Sequence, residues 1–436
     1  MTPAAPRRIL RGGRVLDPAS GRDERADVVI ADGRILAVEA PGDLGAGFGR
    51  AGAEIIEIQG CLVTPGLVDL HVHLREPGGE AKETIASGAA AAAAGGFTTV
   101  CAMPNTSPIG DTPEWVRFVR ERGAAARGAR VLPIAAATVG SGGEVATDAV
   151  ALRAAGAVAL SDDGRPIATA EMLAEVLGGA RAAGLVVADH CEALELSARG
   201  AILEGPLADR LRVRGIPATA ESAAVARDLE VLAQAGGRLH LCHLSTAASV
   251  ELLAAARARG LDVTAEVSPH HLVLTTETVA EAGTLAKMNP PLASRTDRAA
   301  LRAALAEGVI DCVATDHAPH TAAEKASGLA AAPFGVIGLE TAFGVLHTEL
   351  VLTGGLGLAT LIDRMAFAPV RAFGLEAGRL EPGGRADLAV FDLEARWVVE
   401  PGAFCSLGRN TPFGGRSFTG RPILTLVDGE IVHDGR

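Results

Sequence analysis

The segment GLVDLHVHLREPG, residues 66–78, is apolar at its start and ends on two histidines, His71 and His73, with Arg75 two positions further on. In a β-strand, side chains at i and i+2 share a face, so the two imidazoles point the same way and can grip one metal ion together. A strand that is apolar along its length and polar only at its carboxyl end suits a buried parallel sheet whose chemistry collects at one rim.

The pattern repeats. GLVDLHVHL, FTTVCAMPN, RVLPIAAATV, AVALSDDG, LVVADHCE, RLHLCHLS, DVTAEVSPHH and VIDCVATDHAPH form eight apolar runs between about residues 66 and 317. Alanine-rich helical stretches separate most of them, among them AKETIASGAAAAAAGG, TAEMLAEVLGGARAAG, AESAAVARDLEVLAQAGG and RTDRAALRAALAEG. Eight β/α units over about 250 residues predict an α/β fold, a (β/α)8 TIM-like barrel, with a doubly wound sheet as the alternative. The two ends of the chain differ from the middle. ADVVIADGRILAVEA near the start and RPILTLVDGEIVHDG near the end each place Asp-Gly between two apolar strands, a signal for a tight antiparallel hairpin. Residues 1–65 and 378–436 are therefore expected to build one small β-sandwich domain from both termini, with the barrel spanning 66–377.

Polar residues gather at the carboxyl ends of the eight runs: His71 and His73, Asn105, Asp162 and Asp163, His190, His243, His270 and His271, then Asp316, His317 and His320. In a barrel these ends share one mouth. His71, His73, His190 and His243 with carboxylates Asp163 and Asp316 make six donors, too many for one tetrahedral zinc but suited to two zinc ions that keep open positions for water. His240, inside an apolar run, reads as a hydrogen-bonded structural residue. His270 and His271 read as loop-shaping, and His317 should point away from its neighbour Asp316. His347 and His433 lie outside the mouth.

The 436 residues allow one large domain and a smaller one. A formal charge of −12 argues against a nucleic-acid surface, which needs clustered Lys and Arg, and leaves small metabolites or proteins as partners. No charge-free apolar run reaches the roughly 18 residues that cross a bilayer. The opening MTPAAPRRILRGGRVLD lacks a signal-length apolar stretch, so a soluble, cytoplasmic protein with no membrane partner is expected. Cys61, Cys101, Cys191, Cys242, Cys312 and Cys405 are scattered singly and fit reduced thiols. Lysine occurs only at 82, 287 and 325.

PGLVDLHVHLREPG, GGFTTVCAMPNT, SDDG, ADHCE, LCHLST, VSPHHL, KMNPPL, ATDHAPH and APFGVIGLETAF together resemble the signature segments of dihydroorotases of the long bacterial class I type, in the amidohydrolase superfamily. The resemblance runs in order from about residue 8 to NTPFGGRSFTG near the end. It implies a zinc-dependent, reversible cyclisation of N-carbamoyl-L-aspartate to (S)-dihydroorotate, the third step of pyrimidine synthesis. By resemblance, His71, His73, Asp163 and Asp316 hold one zinc, and Asp163, His190 and His243 the other, with Asp163 and a hydroxide as bridges and Asp316 as the catalytic base and acid. Asp162 competes for the bridging place, and the family motif favours Asp163. Related hydantoinases use a carboxylated lysine as the bridge, and AVALSDDGRP has none.

Substrate contacts implied in the same way are Arg75, Asn105 and His320 on the α-carboxylate, with His73 beside them. Asn289 and the backbone at Phe334 and Gly335 are implied contacts to the ring. Arginine suits a carboxylate because its planar fork makes two parallel hydrogen bonds; the plainer reading of Arg75 is a surface salt bridge. The segment TAAEKASGLAAAP between His320 and Phe334 is expected to act as a mobile lid. A homodimer is expected, and docking onto aspartate transcarbamoylase stays open. The competing readings are a hydantoinase, dihydropyrimidinase or allantoinase, and a non-catalytic scaffold for the transcarbamoylase, which would not need the six donors.

Overall fold

A computed structural model describes residues 7–42, 53–376 and 379–436. Each of the eight apolar runs contains a strand: Leu67–Val72, Phe97–Ala102, Arg130–Ala135, Ala159–Leu160, Val186–Asp189, Leu239–Leu241, Val263–Val267 and Cys312–Val313. They pair in chain order and all in parallel. The ring closes just beyond the last strand, where the His73 N–H donates to the His317 carbonyl at 2.8 Å. Beside it, the Asp69 carboxylate accepts from the Thr315 N–H at 3.1 Å and its hydroxyl at 2.5 Å. The doubly wound alternative is thereby excluded.

Inside the ring, Val68, Leu70, Cys101, Ile134, Ala159, Val186, Ala188, Cys242 and Cys312 form one apolar cluster with Ala368, Val370 and Phe373 of the helix Ala368–Phe373, separate from the cluster under the outer helices. Residues from opposite strands meet this way only in a filled barrel interior. Val68 and Leu70 face that interior, yet so do His71 and His73. Simple alternation does not allow both pairs; the strand slips by one position where its pairing register shifts between Asp69 and Val72.

The outer helices start where the sequence offers a capping oxygen. Thr84, Thr112, Asp148, Thr169, Thr246 and Ser294 each accept a backbone N–H of the first turn, opening Ile85–Ala94, Pro113–Ala125, Ala149–Ala155, Ala170–Ala183, Ala247–Ala258 and Arg295–Glu307. The alanine-rich first helix lies against the barrel through Ala89, Ala91, Ala92 and Ala93, all fully buried; small side chains let helix and sheet approach closely.

The ends of the chain build a second sheet, in the order Glu430–Asp434, Ser417–Val427, Leu388–Val398, Leu62–Pro65, Arg8–Asp17, Arg22–Ala31, Arg34–Glu39. Both Asp-Gly hairpins form, with positive φ at Asp32 (50°) and Gly33 (74°), and at Asp428 (48°) and Gly429 (75°). The sheet is mostly antiparallel, with one departure from the expectation: Arg8–Asp17 pairs in parallel with Glu54–Glu57 and with Leu62–Pro65. The sheet folds over on itself, each hairpin turn tied to the start of an interior strand: the Ala386 N–H donates to the Gly33 carbonyl at 2.9 Å and the Arg8 guanidinium donates to the Gly429 carbonyl. The sandwich so formed encloses Leu10, Val28, Ile35, Leu388, Val390 and Leu424. The expected domain boundary at 377/378 lies outside the described residues. Arg130, at the start of the third barrel strand, is ion-paired to Asp387 and Asp428 of this sheet, each at 2.9 Å. Among the described residues, no helix is long and apolar enough to cross a membrane.

Candidate active site

All six predicted donors meet at the carboxyl mouth of the barrel, around Asp163. Its Oδ1 lies 3.2 Å from His71 Nε2, 3.6 Å from His243 Nε2 and 3.8 Å from His190 Nδ1, and its Oδ2 lies 3.4 Å from His73 Nε2. Asp316 Oδ1 sits 3.1 Å from His73 Nε2 and 3.7 Å from His71 Nε2. Two groups could therefore each hold an ion, His71 with His73 and Asp163, and Asp163 with His190 and His243. The neighbouring Asp162 is turned away: its carboxylate accepts from the Ala137 and Thr138 N–H groups at 2.9 and 3.0 Å and from the Thr138 hydroxyl. His243 and Asp316 both adopt positive φ, 32° and 49°, which aims side chains from the strand ends into the mouth.

The donor set fits divalent metal. His71 Nε2 and Asp163 Oδ1 are buried and face each other without the alignment of a hydrogen bond, and neither has a hydrogen-bond partner among the described residues. Burial pushes the Asp163 carboxyl upward, but His71, His243 and His73 outweigh it and hold it well below the usual carboxylate range. Burial likewise opposes charge on His71, and Asp163 and Glu266 overcome it, raising its pKa. Carboxylates that draw a proton onto a fully buried imidazole provide a place for a cation. Four imidazoles and two carboxylates are borderline-soft and hard donors of the kind zinc takes.

The predicted substrate residues line the same cavity, of about 170 Å³: His73, Arg75, Asn105, Asn289, His320, Phe334 and Gly335 all border it. Asn105 Oδ1 accepts from His73 Nδ1 at 2.9 Å, and Asn289 Nδ2 donates to Glu192 at 2.9 Å. His320 Nε2 donates to the Phe334 carbonyl at 2.8 Å, and its pKa is lowered to about 3 by burial and by Arg75, so the ring is neutral. Arg75 Nε donates to the Pro319 carbonyl at 3.2 Å, and Nη2 lies 3.3 Å from His320 Nε2. It has no carboxylate partner among the described residues, so the salt-bridge reading does not hold.

Of the residues set aside, His317 and His240 behave as read, while His270 and His271 lie in a short helix, Pro269–Val273, and not in a loop. His317 donates from Nε2 to Glu83 at 3.1 Å and accepts the Gly338 N–H, facing away from Asp316. His240 is bonded to Thr264 and Glu266, and His271 to the Pro290 carbonyl. Among the described residues all six cysteines are free.

Three carboxylates around the site were not singled out in the sequence. Glu266 takes the other nitrogen of His71 at 2.8 Å. Asp69 bonds the His71 N–H and Thr315, and Glu192 sits 3.1 Å from His190 Nε2. The available signal was an acid inside an apolar strand, in GLVDLHV and DVTAEV, where a buried charge requires a partner.

Residues 60–249 match the family model described as Dihydro-orotase-like. The chain is 47% identical over 429 residues to the dihydroorotase of Pelotomaculum thermopropionicum, covering 98% of this chain and 99% of that one. It is 48% identical over 432 residues to that of Anaeromyxobacter dehalogenans, covering 98% of both. Among solved structures it is similar to an L-hydantoinase (dihydropyrimidinase) from Arthrobacter aurescens, with a TM-score of 0.88 and 26% identity over 99% of this chain and 97% of that one. A closed parallel barrel with this histidine and aspartate rim defines a metal-dependent amidohydrolase. With relatives nearly half identical along almost the whole of its length, the chain belongs to the dihydroorotase family.

Proposed function

We propose that this enzyme, a cyclic amide hydrolase, is a dihydroorotase that interconverts N-carbamoyl-L-aspartate and (S)-dihydroorotate. The observation that carries the choice of ring is Arg75, a half-buried guanidinium at the cavity wall with no acidic partner among the described residues. A ring bearing a carboxylate supplies that partner, and Asn105 and His320 border the same end. A neutral hydantoin ring would leave the charge unmatched, which disfavours the hydantoinase, dihydropyrimidinase and allantoinase readings. The presence of all six donors disfavours a scaffold without catalysis.

His71, His73, Asp163 and Asp316 would hold one zinc ion, and Asp163, His190 and His243 a second. Such ions, when bound, lower the pKa of water towards neutrality and polarise a carbonyl. Asp316 then acts as the proton carrier. Burial would raise its pKa, but His73, His71 and His243 hold it far below the ordinary range, so it stands ionised as a base. In hydrolysis it takes the proton of the attacking water and delivers it to the departing ring nitrogen; in cyclisation it does the reverse. Asn289 and the Phe334–Gly335 backbone orient the ring, and Arg75, Asn105 and His320 hold the carboxylate. The free cysteines agree with a cytoplasmic setting. A homodimer belongs to this reading, docking onto aspartate transcarbamoylase is the open alternative, and sedimentation with and without the transcarbamoylase tests both.

The deciding experiment is metal analysis of purified protein with activity on dihydroorotate and hydantoin side by side, comparing wild type with Asp163→Ala. Dihydroorotate should be strongly preferred, and the variant should lose metal and activity. A preference for hydantoin, or full activity and metal in Asp163→Ala, overturns the proposal.

A further inference from the structure

Forty basic residues occur in this chain and three of them are lysine, at 82, 287 and 325. All three hold the same loop, residues 321–335, which follows the eighth strand. Lys82 pairs with Glu324 at 2.7 Å. Lys287 donates to the carbonyls of Ala330 and Ala332, at 3.2 and 2.6 Å, and lies over the Phe334 ring at 4.5 Å. Lys325, 3% exposed, donates to the carbonyls of Lys287, Pro333 and Gly335 at 3.2, 2.9 and 2.8 Å. The Gly335 N–H closes the arrangement on the Lys287 carbonyl at 3.0 Å.

The chemistry explains why lysine persists here in a chain that otherwise uses arginine. A compact ammonium has three donors on one atom and can serve three carbonyls that converge on a point, whereas the planar guanidinium fork spreads its donors in a plane. The carbonyls of Pro333 and Gly335 flank Phe334, so Lys325 grips the backbone on both sides of that residue. Gly335 has φ 120°, and a Cβ there would stand 2.6 Å from the Ala318 Cβ, so the backbone presses directly on the barrel rim. On its other side, Phe334 and Gly335 border the active-site cavity.

We infer that Lys325 is a positioning residue for substrate: with Lys287 and Lys82 it fastens residues 321–335 so that the Phe334–Gly335 backbone is a fixed wall for the ring, in place of the mobile lid expected from composition. This rests on the reading of that backbone as a substrate contact. The test is steady-state kinetics on dihydroorotate with metal content measured alongside. Lys325→Met should raise KM about tenfold, the effect of one lost buried hydrogen-bonding group, with kcat within about threefold and metal content unchanged. Limited proteolysis within 321–333 should be slow in wild type, equally so with and without substrate, and faster in the variant.

An unchanged KM in Lys325→Met, or a fall in kcat alone, overturns the inference. So does wild-type cleavage that substrate suppresses. If Lys325→Met does not fold, Lys82→Met removes the outer fastening at a partly exposed site and should raise KM about threefold; an unchanged KM there overturns the inference equally. Arg75→Ala is run in parallel. If it leaves KM unchanged, the substrate reading itself fails; if it raises KM while the lysine variants do not, the fault lies with the inference alone.

Discussion

His71 donates its Nδ1 proton to Glu266 across 2.8 Å, and the same carboxylate accepts from His240 Nε2 at 3.1 Å. This keeps a proton on His71 Nδ1 and makes Nε2, which faces Asp163, the nitrogen a metal ion would take. Burial would raise the Glu266 pKa, but His71 and His240 hold it at about 2, so it stays ionised beneath the site. His240, read from sequence as merely structural, thereby steadies the group that orients a metal ligand.

Glu266→Gln keeps the shape but not the charge. Metal retention should weaken by about 10- to 100-fold, measured by titrating the loaded protein with a chelator, while circular dichroism stays native. Equal retention in variant and wild type would remove the orienting role.

Asp316→Asn should lower kcat by about 10²- to 10⁴-fold in both directions, because the amide cannot carry the proton. Kinetics in the hydrolytic and cyclising directions check this, and a variant slowed in only one direction would contradict a single shared proton carrier.

Arg75→Lys retains a positive charge and loses the bidentate fork. KM for dihydroorotate should rise by about tenfold or more with a smaller change in kcat. A KM within twofold of wild type would place the substrate carboxylate elsewhere.

Glu340 gives a pH signature away from the metal site. Burial raises its carboxyl to about 7, against the backbone N–H groups of Cys405 and Ser406, with Glu83 adding to the rise. Between its ordinary value near 4.5 and about 7, the folded chain keeps a proton that the unfolded chain releases, so its contribution to stability is lost as pH rises through that window. Glu340→Gln removes the titration. Its denaturation midpoint, relative to wild type, should rise between pH 5 and pH 8; parallel profiles would refute the assignment.

The barrel could be read from sequence because buried parallel strands are apolar throughout and polar only where they reach the rim, as GLVDLHVHL and VIDCVATDHAPH are. Five of the six donors followed from that geometry, and the choice of Asp163 over Asp162 came from the resemblance. Glu266 escaped notice because its partners His71 and His240 come from other strands, and only the closed ring brings the three together. The role of lysine also escaped, since carbonyl acceptors have no residue identity: nothing in TAAEKASGLAAAP or KMNPPL announces that Pro333, Gly335 and Lys287 offer oxygens to one ammonium. The parallel pairing of Arg8–Asp17 depends on how the chain returns through Leu62–Pro65, and hairpin signals speak only for neighbouring strands.

The pairing of Leu62–Pro65 with Leu388–Phe391 sets a schedule for synthesis on the ribosome. The first strands emerge early, but their neighbour follows more than 300 residues later. At about 5–20 residues per second, that edge waits on the order of half a minute, open to any other strand in the cell, while the barrel forms behind it. Strands made late complete a sheet begun early, so a chain stopped short of Leu388 would carry all six donors and an uncovered sheet edge.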